Sequence, residues 1–509
     1  MQQIAAILAI FYHCNFYLQS LHVFLPIIRN IVNASLVNGI FPNDLKHDLV
    51  TPILKGKGLD TEQFKNYRPV STLSFMSKVI EKSALVQVNA YLKENSLIPK
   101  SQSAYLADHS CETALCKVVN DVQKLISERK VVLLVQLDLS SAFDTIDHDE
   151  LLQLLNKKFG FTGAALKFFK SYMSNRTFRV KIKHVKGGKL ILIYGVPQGS
   201  ILGPLLFVLY VSDLPELVSS HDICLHSYAD DSQLYVGLDP STNFSATLQR
   251  FHACLDDIQT WMKKNFLKLN VEKTEVLFLA RPQDHCVYQQ MSIMIGEKCY
   301  LSSPADSVRS LGAYLRGDMS MEKMVTECVK SCNFNLLRLK RFRHYLDTDS
   351  RKNVIKSYIL GKLDYCNILY CNLSRTLISK LDRALRNAVR FIYDLKKNDS
   401  ISHYMKEAHI LPIIFRIQYK ACLIVYKIIN SRAPDYLNDF IVLNIPSEHN
   451  LQSNQDFLKV MPCNTTNTLQ FFMTHAWNDL PYDIRSAVAV EIFKTKLKTH
   501  YFNLAFPSE

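Results

Sequence analysis

The sequence holds 509 residues, too many for one compact domain and enough for roughly three at about 150 residues each. Hydrophobic content of 48% and charged content of 21% exclude wholesale disorder, while 15 glycines and 17 prolines exclude collagen-like and low-complexity classes. The 60 lysines and arginines against 46 acidic residues leave a net charge of +14, an excess that favours a polyanionic partner.

Taken in chain order, the first segment is the mostly apolar run from Ile4 to Ile28. Its first basic side chain is Arg29, and His13, Asn15, Gln19 and His22 interrupt it. A signal peptide needs a positive start, and a membrane span needs about 20 predominantly apolar residues. A buried helix, or an arbitrary start on a truncated reading frame, is expected instead, in a soluble protein of the nucleus or cytoplasm with no membrane partner. A membrane anchor is the weakest alternative. Asp48 to Gly58 then reads as a strand ending in a basic glycine turn. Helical spacing follows over Lys78–Lys93 and over Glu112–Arg129, where Leu115, Val118, Val119, Val122, Leu125 and Ile126 share a face and Ser110 is placed to cap it. Val131 to Leu139 is almost continuously apolar and of strand length, and a helix is expected around Leu151–Leu155. A buried strand flanked by helices implies a layered α+β core. Ile223 to Leu238 reads as a β-hairpin joined at Ala-Asp-Asp. Beyond Met319 the pattern turns helical and basic: residues 331–400 carry 15 Lys and Arg against 6 Asp and Glu. The 13 cysteines are scattered without a CxxC or a histidine pair at zinc-finger spacing, which reads as buried free thiols in a reducing compartment.

Asp138 falls near the end of the apolar strand, where a charge is costly to bury without a partner. Asp230 and Asp231 fall side by side at the hairpin tip. Three carboxylates on adjacent strands repel one another unless a cation stands between them. An oxygen-only site of this kind suits Mg²⁺, and two such ions about 4 Å apart form the usual clamp for in-line phosphoryl transfer. A plain polar turn is the other reading of Asp230-Asp231, since Asp256-Asp257 is another such pair. The segment GVPQGSILGP (195–204) spaces Gly195, Gly199 and Gly203 around Gln198, as a loop would where backbone approaches a ligand closely. Arg68, with Lys55 and Lys57, has the chemistry to meet a triphosphate, or else to sit as solvated surface charge.

NYRPVS (66–71), SKVIEK (77–82), LDLSSAFDTIDH (137–148), YGVPQGSILGPLLF (194–207), YADD (228–231), LKLNVEKTE (267–275) and LGAYL (311–315) stand in one order. That order resembles the reverse transcriptases of non-LTR, LINE-type retrotransposons, in the jockey-like and chicken-repeat-like branches. The likeness runs from about Pro26 to the C-terminus. It implies an α+β fold of the right-hand polymerase type with a helical C-terminal extension. The expected divisions are an N-terminal segment (1–40), part of the fingers (41–130), the palm with fingers insertions (131–316), a basic helical thumb (317–400) and a C-terminal helical extension (401–509).

By the same resemblance, Asp138, Asp230 and Asp231 would hold two Mg²⁺ ions, with Asp138 and Asp230 bridging both. Phe143 would lie under the sugar and reject a 2′-hydroxyl, although a core phenylalanine is its other reading. Gln198 with Gly199, Arg68 and Lys55 would contact the incoming nucleotide. Lys273 would give a proton to pyrophosphate, or be a surface lysine. Tyr228 and Gly312 would seat the primer end, and the basic helices would grip backbone phosphates. The expected activity is RNA-directed DNA polymerase, with an RNA template, a DNA primer and dNTPs as partners. The alternative is a catalytically idle remnant that still binds RNA or DNA. Departures from the family pattern are Ala104-Tyr105-Leu106 in place of Gly-Phe-Arg, Ser110-Cys111 in place of Ser-Thr, and NTTNTLQFF (464–472) in place of a glycine- and arginine-rich block. The residues before the fingers leave no room for the family's endonuclease, so a separate endonuclease or a pre-existing nick is expected to serve any integration.

Overall fold

The computed structural model describes residues 15–56, 58–139, 142–240, 244–284, 292–301, 306–443, 457–460 and 468–507. Lys57, residues 1–14 of the apolar start and residues 464–467 of the divergent tail block lie outside that set. Helix α1 (Asn15–Asn38) opens the described chain. Strands β1 (His47–Leu54) and β2 (Tyr67–Thr72) pair antiparallel, and helices α2 (Phe75–Glu94) and α3 (Cys111–Ser127) follow. The cap expected at Ser110 forms in both directions. Its hydroxyl accepts from Thr113 N at 3.2 Å, and the Thr113 hydroxyl accepts from Ser110 N at 2.9 Å.

Strand β3 (Val131–Leu137) leads to helices α4 (His148–Lys157) and α5 (Gly163–Met173), then to strands β4 (Thr177–Ile182), β5 (Val185–Lys186) and β6 (Leu190–Ile191). One sheet runs β2-β1-β4-β5, with β6 also on β4 and with β1 and β4 parallel. Arg176, just before β4, fastens this sheet. Its Nη2 donates to both oxygens of Asp48 at 3.1 Å, and its guanidinium lies 4.8 Å from the Tyr172 ring centre. Burial raises the Asp48 carboxyl and Arg176 opposes that shift, as expected of a pair removed from water together.

After helix α6 (Gly203–Tyr210) come the expected hairpin strands β7 (Cys224–Tyr228) and β8 (Asp231–Leu238), helix α7 (Ser245–Lys264) and β9 (Glu275–Leu279). The second sheet is antiparallel in the order β7-β8-β3-β9. Its central strand explains the unbroken apolar run. Val131, Leu133, Val135 and Leu137 pack into one core, while Val132 and Leu134 pack into another on the opposite face. A strand covered on both faces can be apolar at every position, each such side chain contributing about 1.5–3 kcal/mol.

Two small hairpins follow, β10 (Ser292–Ile295) with β11 (Lys298–Leu301) and β12 (Ser307–Ser310) with β13 (Ala313–Arg316). The rest is helical, as the periodicity indicates: α8 (Glu322–Lys340), α9 (Thr348–Ile355), α10 (Arg375–Tyr393), α11 (Ile413–Ile429), α12 (Leu469–Asn478) and α13 (Val490–Ala505). These helices share a core with the sheet: Leu115 of α3, Leu336 of α8, Leu385 of α10, Ile417 of α11 and Trp477 of α12 belong to the cluster that covers Val132 and Leu134. The ten described cysteines are free thiols. Five are buried, but Cys224 and Cys299 are exposed, which corrects the expectation of uniformly buried thiols. Among the described residues, no helix is long and apolar enough to cross a membrane.

Candidate active site

The antiparallel register pairs Leu137 with Ser232, so the next step along both strands sets Asp138 opposite Asp231. Alternation puts Asp138 and Gln136 on the face of Leu134, and Asp231 and Gln233 on the face of Tyr235. Each strand therefore has an apolar face that passes through a glutamine to an aspartate at the sheet's end. Tyr228 pairs with Asp231, leaving Ala229 and Asp230 as the hairpin tip. Ala229 holds a φ of 58°, a left-handed conformation that costs an alanine roughly 1–2 kcal/mol. Gln102 stabilises it: its Oε1 accepts from Ala229 N at 3.0 Å and from Ala104 N at 2.8 Å. The chain around Gln102 runs beside β7, with Ser103 N donating to Ser227 O at 2.9 Å and Ser227 N to Ser101 O at 2.8 Å.

The three aspartates influence one another. Burial raises the Asp231 carboxyl to about 6, with Asp230 and Asp138 adding to the shift. Asp230 is raised as well, by burial and then by Asp138, against the opposing pull of its own backbone N–H and of Arg68. Asp138 Oδ2 is buried and accepts no hydrogen bond, and the Lys273 ammonium stands 3.7 Å from it. Backbone bonding sets that proximity, since Asn270 N donates to Asp138 O at 2.8 Å and Lys273 N to Asn270 O at 3.1 Å. Asp138, Asp231 and Lys273 line an open cleft of about 600 Å³ that Lys298 and Tyr300 also border. Among the described residues, no three His, Cys, Asp or Glu side chains are gathered closely enough to hold a metal ion. The chemistry still fits a divalent cation, with oxygen donors, an orphaned buried carboxylate oxygen and mutual repulsion that a cation would relieve.

The glycine block packs against β2. Ser71 N donates to Gln198 O at 2.7 Å, and a Cβ on Gly199, whose φ is 119°, would lie 2.6 Å from Ser71 O. Gly195 fits as closely against Phe143 and Asp144, where a Cβ would come within 2.8 Å of backbone. The Gln198 amide donates to both oxygens of Asp144 at 3.0 and 3.1 Å, and burial raises the Asp144 carboxyl. Phe143 is half-buried with its ring centre 4.9 Å from that of Phe207. Glu81, fully buried, anchors the end of the block: it accepts from Ile201 N at 2.7 Å and Leu202 N at 3.2 Å, and from the Ser77 hydroxyl at 2.9 Å. Burial raises this carboxyl too.

Arg68 is exposed on β2 and within electrostatic reach of Asp230. Lys55 donates to Lys65 O at 2.7 Å, so its ammonium is engaged within its own loop. Tyr228 is half-buried, and burial followed by the Cys111 thiol pushes its phenol up to about 12. Gly312 and Leu311 form the two-residue turn of the β12–β13 hairpin, with φ of 82° and 45° as a type I′ turn requires. Tyr365 closes over this turn: its hydroxyl donates to Leu311 O, and a Cβ on Gly312 would lie 3.2 Å from its ring. The same hairpin docks on β8 through Gln233 Nε2, which donates to Ser310 Oγ at 2.6 Å.

The aspartates, Lys273 and Tyr228 thus lie at one sheet end, with Arg68 within electrostatic reach of Asp230. Gln198, Gly199 and Phe143 form an adjoining group on β2 and α6. Sequence reasoning missed Gln102, Asp144 and Glu81. Only Glu81 carried a readable signal, an acid among the apolar positions Val79, Ile80 and Ala84 of a helix.

The family model described as reverse transcriptase (RNA-dependent DNA polymerase) matches residues 53–315, just over half of the chain. The chain belongs to the reverse transcriptase family. A probable RNA-directed DNA polymerase from transposon BS of Drosophila melanogaster is 29% identical over 249 residues, 48% of this chain and 27% of that protein. The RNA-directed DNA polymerase from mobile element jockey of the same fly is 25% identical over 365 residues, 70% of this chain and 38% of that protein. The chain therefore spans less than two fifths of the length of these relatives. Apo telomerase from Candida tropicalis aligns over 81% of this chain and 72% of its own, with a TM-score of 0.42 at 12% identity. The resemblance to retrotransposon reverse transcriptases read from the ordered blocks is borne out by the family match and by these mobile-element relatives.

Proposed function

We propose that this reverse-transcriptase chain is an RNA-directed DNA polymerase that extends a DNA primer on an RNA template with dNTPs. The observation that carries the reading is the facing of Asp138 and Asp231 at one sheet end, with Asp138 Oδ2 buried and accepting no hydrogen bond. Asp138, Asp230 and Asp231 would hold two Mg²⁺ ions. When bound, the ions supply positive charge at a primer 3′-hydroxyl and at the departing pyrophosphate. The remaining work belongs to the chain. Arg68 and Lys55 meet the triphosphate, with Lys55 first releasing its loop carbonyl. Gln198 and Gly199 bring main chain and amide to the nucleotide, and Phe143 presents its ring to the sugar. Lys273, already beside Asp138, is placed to give a proton to the leaving oxygen. Tyr228 and the Gly312 turn seat the primer end.

On this reading residues 41–130 are fingers, 131–316 palm, 317–400 a thumb that follows backbone phosphates and 401–509 an extension, while 1–40 precede the hand. The site of action is the nucleus or cytoplasm. The altered fingers block, with Leu106 where the family pattern has arginine, and the basic helices of residues 331–400 favour a second reading, a chain that binds RNA or DNA through those helices without turnover. Primer extension with Mg²⁺ and dNTPs on an RNA template separates the two. Wild type is expected to extend and an Asp230→Asn, Asp231→Asn double variant to stop. If neither extends while both bind the hybrid with salt-sensitive affinity, the polymerase reading fails and the binding reading stands.

A further inference from the structure

The hairpin that carries Asp230 and Asp231 is tied to the C-terminal region by a hydrogen-bond chain, buried from His226 through Ser103 to Tyr436. Tyr436 lies in the segment after α11, and its hydroxyl donates to Thr113 Oγ1 at 3.1 Å. Thr113 in turn donates to Ser110 O at 2.9 Å. The single phenolic proton is then used, so the Ser103 hydroxyl, 2.8 Å away, must be the donor to Tyr436. The Ser103 proton is used as well, which makes His226 Nε2–H, at 2.9 Å, the donor to Ser103. Every hydroxyl gives once and receives at least once, from β7 to the start of α3. Burial lowers the His226 imidazole to about 3, so the ring is neutral and this order sets its one proton on Nε2. The Tyr436 ring also meets the His226 ring edge-on, with centres 5.0 Å apart.

Ser103 neighbours Gln102, whose side chain holds the Ala229 turn, and its own N–H bonds to β7. The route from Tyr436 to the carboxylates is thus one serine, one glutamine and one strained turn. Two further contacts fix the C-terminal region to α3. Lys420 Nζ lies 3.0 Å from Glu112 Oε2, and Leu469 N donates to Gln123 Oε1 at 2.8 Å.

We propose that the C-terminal region braces the catalytic hairpin through Tyr436, a positioning residue that holds the Ala229–Asp231 tip where its carboxylates act together. The inference rests on the polymerase reading for its functional meaning but not for its test. The variant is Tyr436→Phe. The control is Tyr426→Phe, which removes a buried phenol whose bond, to Ala487 O at 2.8 Å, stays within the C-terminal region. Hydrogen–deuterium exchange over residues 222–238 is expected to quicken about tenfold in Tyr436→Phe, the size of the lost bond to Ser103 that leads to β7, and to stay at the wild-type rate in the control. The Mn²⁺ concentration for half-saturation, followed by electron paramagnetic resonance, is expected to rise about threefold or more in Tyr436→Phe alone. Equal exchange and Mn²⁺ binding in wild type and Tyr436→Phe, or equal changes in both variants, overturns the brace. A wild type that fails to extend primers overturns the polymerase reading instead, and the exchange result decides the brace on its own.

Discussion

Replacing Asp231 by asparagine is expected to stabilise the cation-free protein at neutral pH, an outcome opposite to that of most buried substitutions. An ordinary aspartate begins at 3.8, and burial with two neighbouring carboxylates carries Asp231 to about 6. At 1.4 kcal/mol per tenfold change in a constant, that difference amounts to about 3 kcal/mol in a dry site. Asp231 is partly exposed, and solvent screening reduces the figure to about 1–2 kcal/mol. The folded state binds the proton more tightly than the unfolded state, so the destabilisation is absent below about pH 3.8. It grows as the pH rises and is complete above about 6. Asp231→Asn removes it. The assay is thermal unfolding in EDTA at pH 5 and pH 7.5. The variant should unfold about 1–3 °C above wild type at pH 7.5, with roughly half that advantage at pH 5. Added Mg²⁺ should raise the wild type more than the variant. A variant less stable than wild type at pH 7.5, or an advantage that does not grow with pH, would refute the charge-repulsion argument.

Two further substitutions test the neighbouring group. Phe143→Val should raise ribonucleotide incorporation relative to deoxynucleotides by about tenfold or more, measured by single-nucleotide extension; a loss of thermal stability with unchanged discrimination would leave the ring as packing on Phe207 alone. Gly199→Ala sets a Cβ 2.6 Å from Ser71 O at a φ of 119°, and should raise the KM for dNTP by about tenfold, while Gly187→Ala, whose nearest contact is 3.6 Å, should leave it unchanged. A KM that Gly199→Ala does not change would separate this loop from nucleotide binding.

What the sequence made legible was local or block-like. The unbroken Val131–Leu139 run marked a strand covered on both faces, the Ala-Asp-Asp tip marked a hairpin, and Ser110 marked a cap. Each depends on residues within a few positions of one another. Gln102 was not legible, because its amide oxygen serves a main-chain N–H at a hairpin tip far along the chain and no spacing rule announces that. Tyr436 was hidden for the same reason. The helical reading beyond Met319 did not show that α11 and α12 would be covered by the face of the sheet that bears Val132 and Leu134. The spacing of the three aspartates was beyond sequence as well, since register sets which residues face each other but not how far their side chains close.

The core beneath Val132 and Leu134 has an evolutionary consequence. The family match ends at residue 315, yet the packing that supports β3 continues through Leu385, Ile417, Trp477 and Leu497. Each is a position where a change to alanine or to a smaller side chain would cost about 2–5 kcal/mol, a large share of a typical folding free energy. The mutational target of this chain is accordingly set by its scaffold rather than by its carboxylates. A drifting copy is more exposed to inactivation through these remote helices than through Asp138, Asp230 and Asp231, so intact carboxylates are a poor gauge of whether a copy still folds.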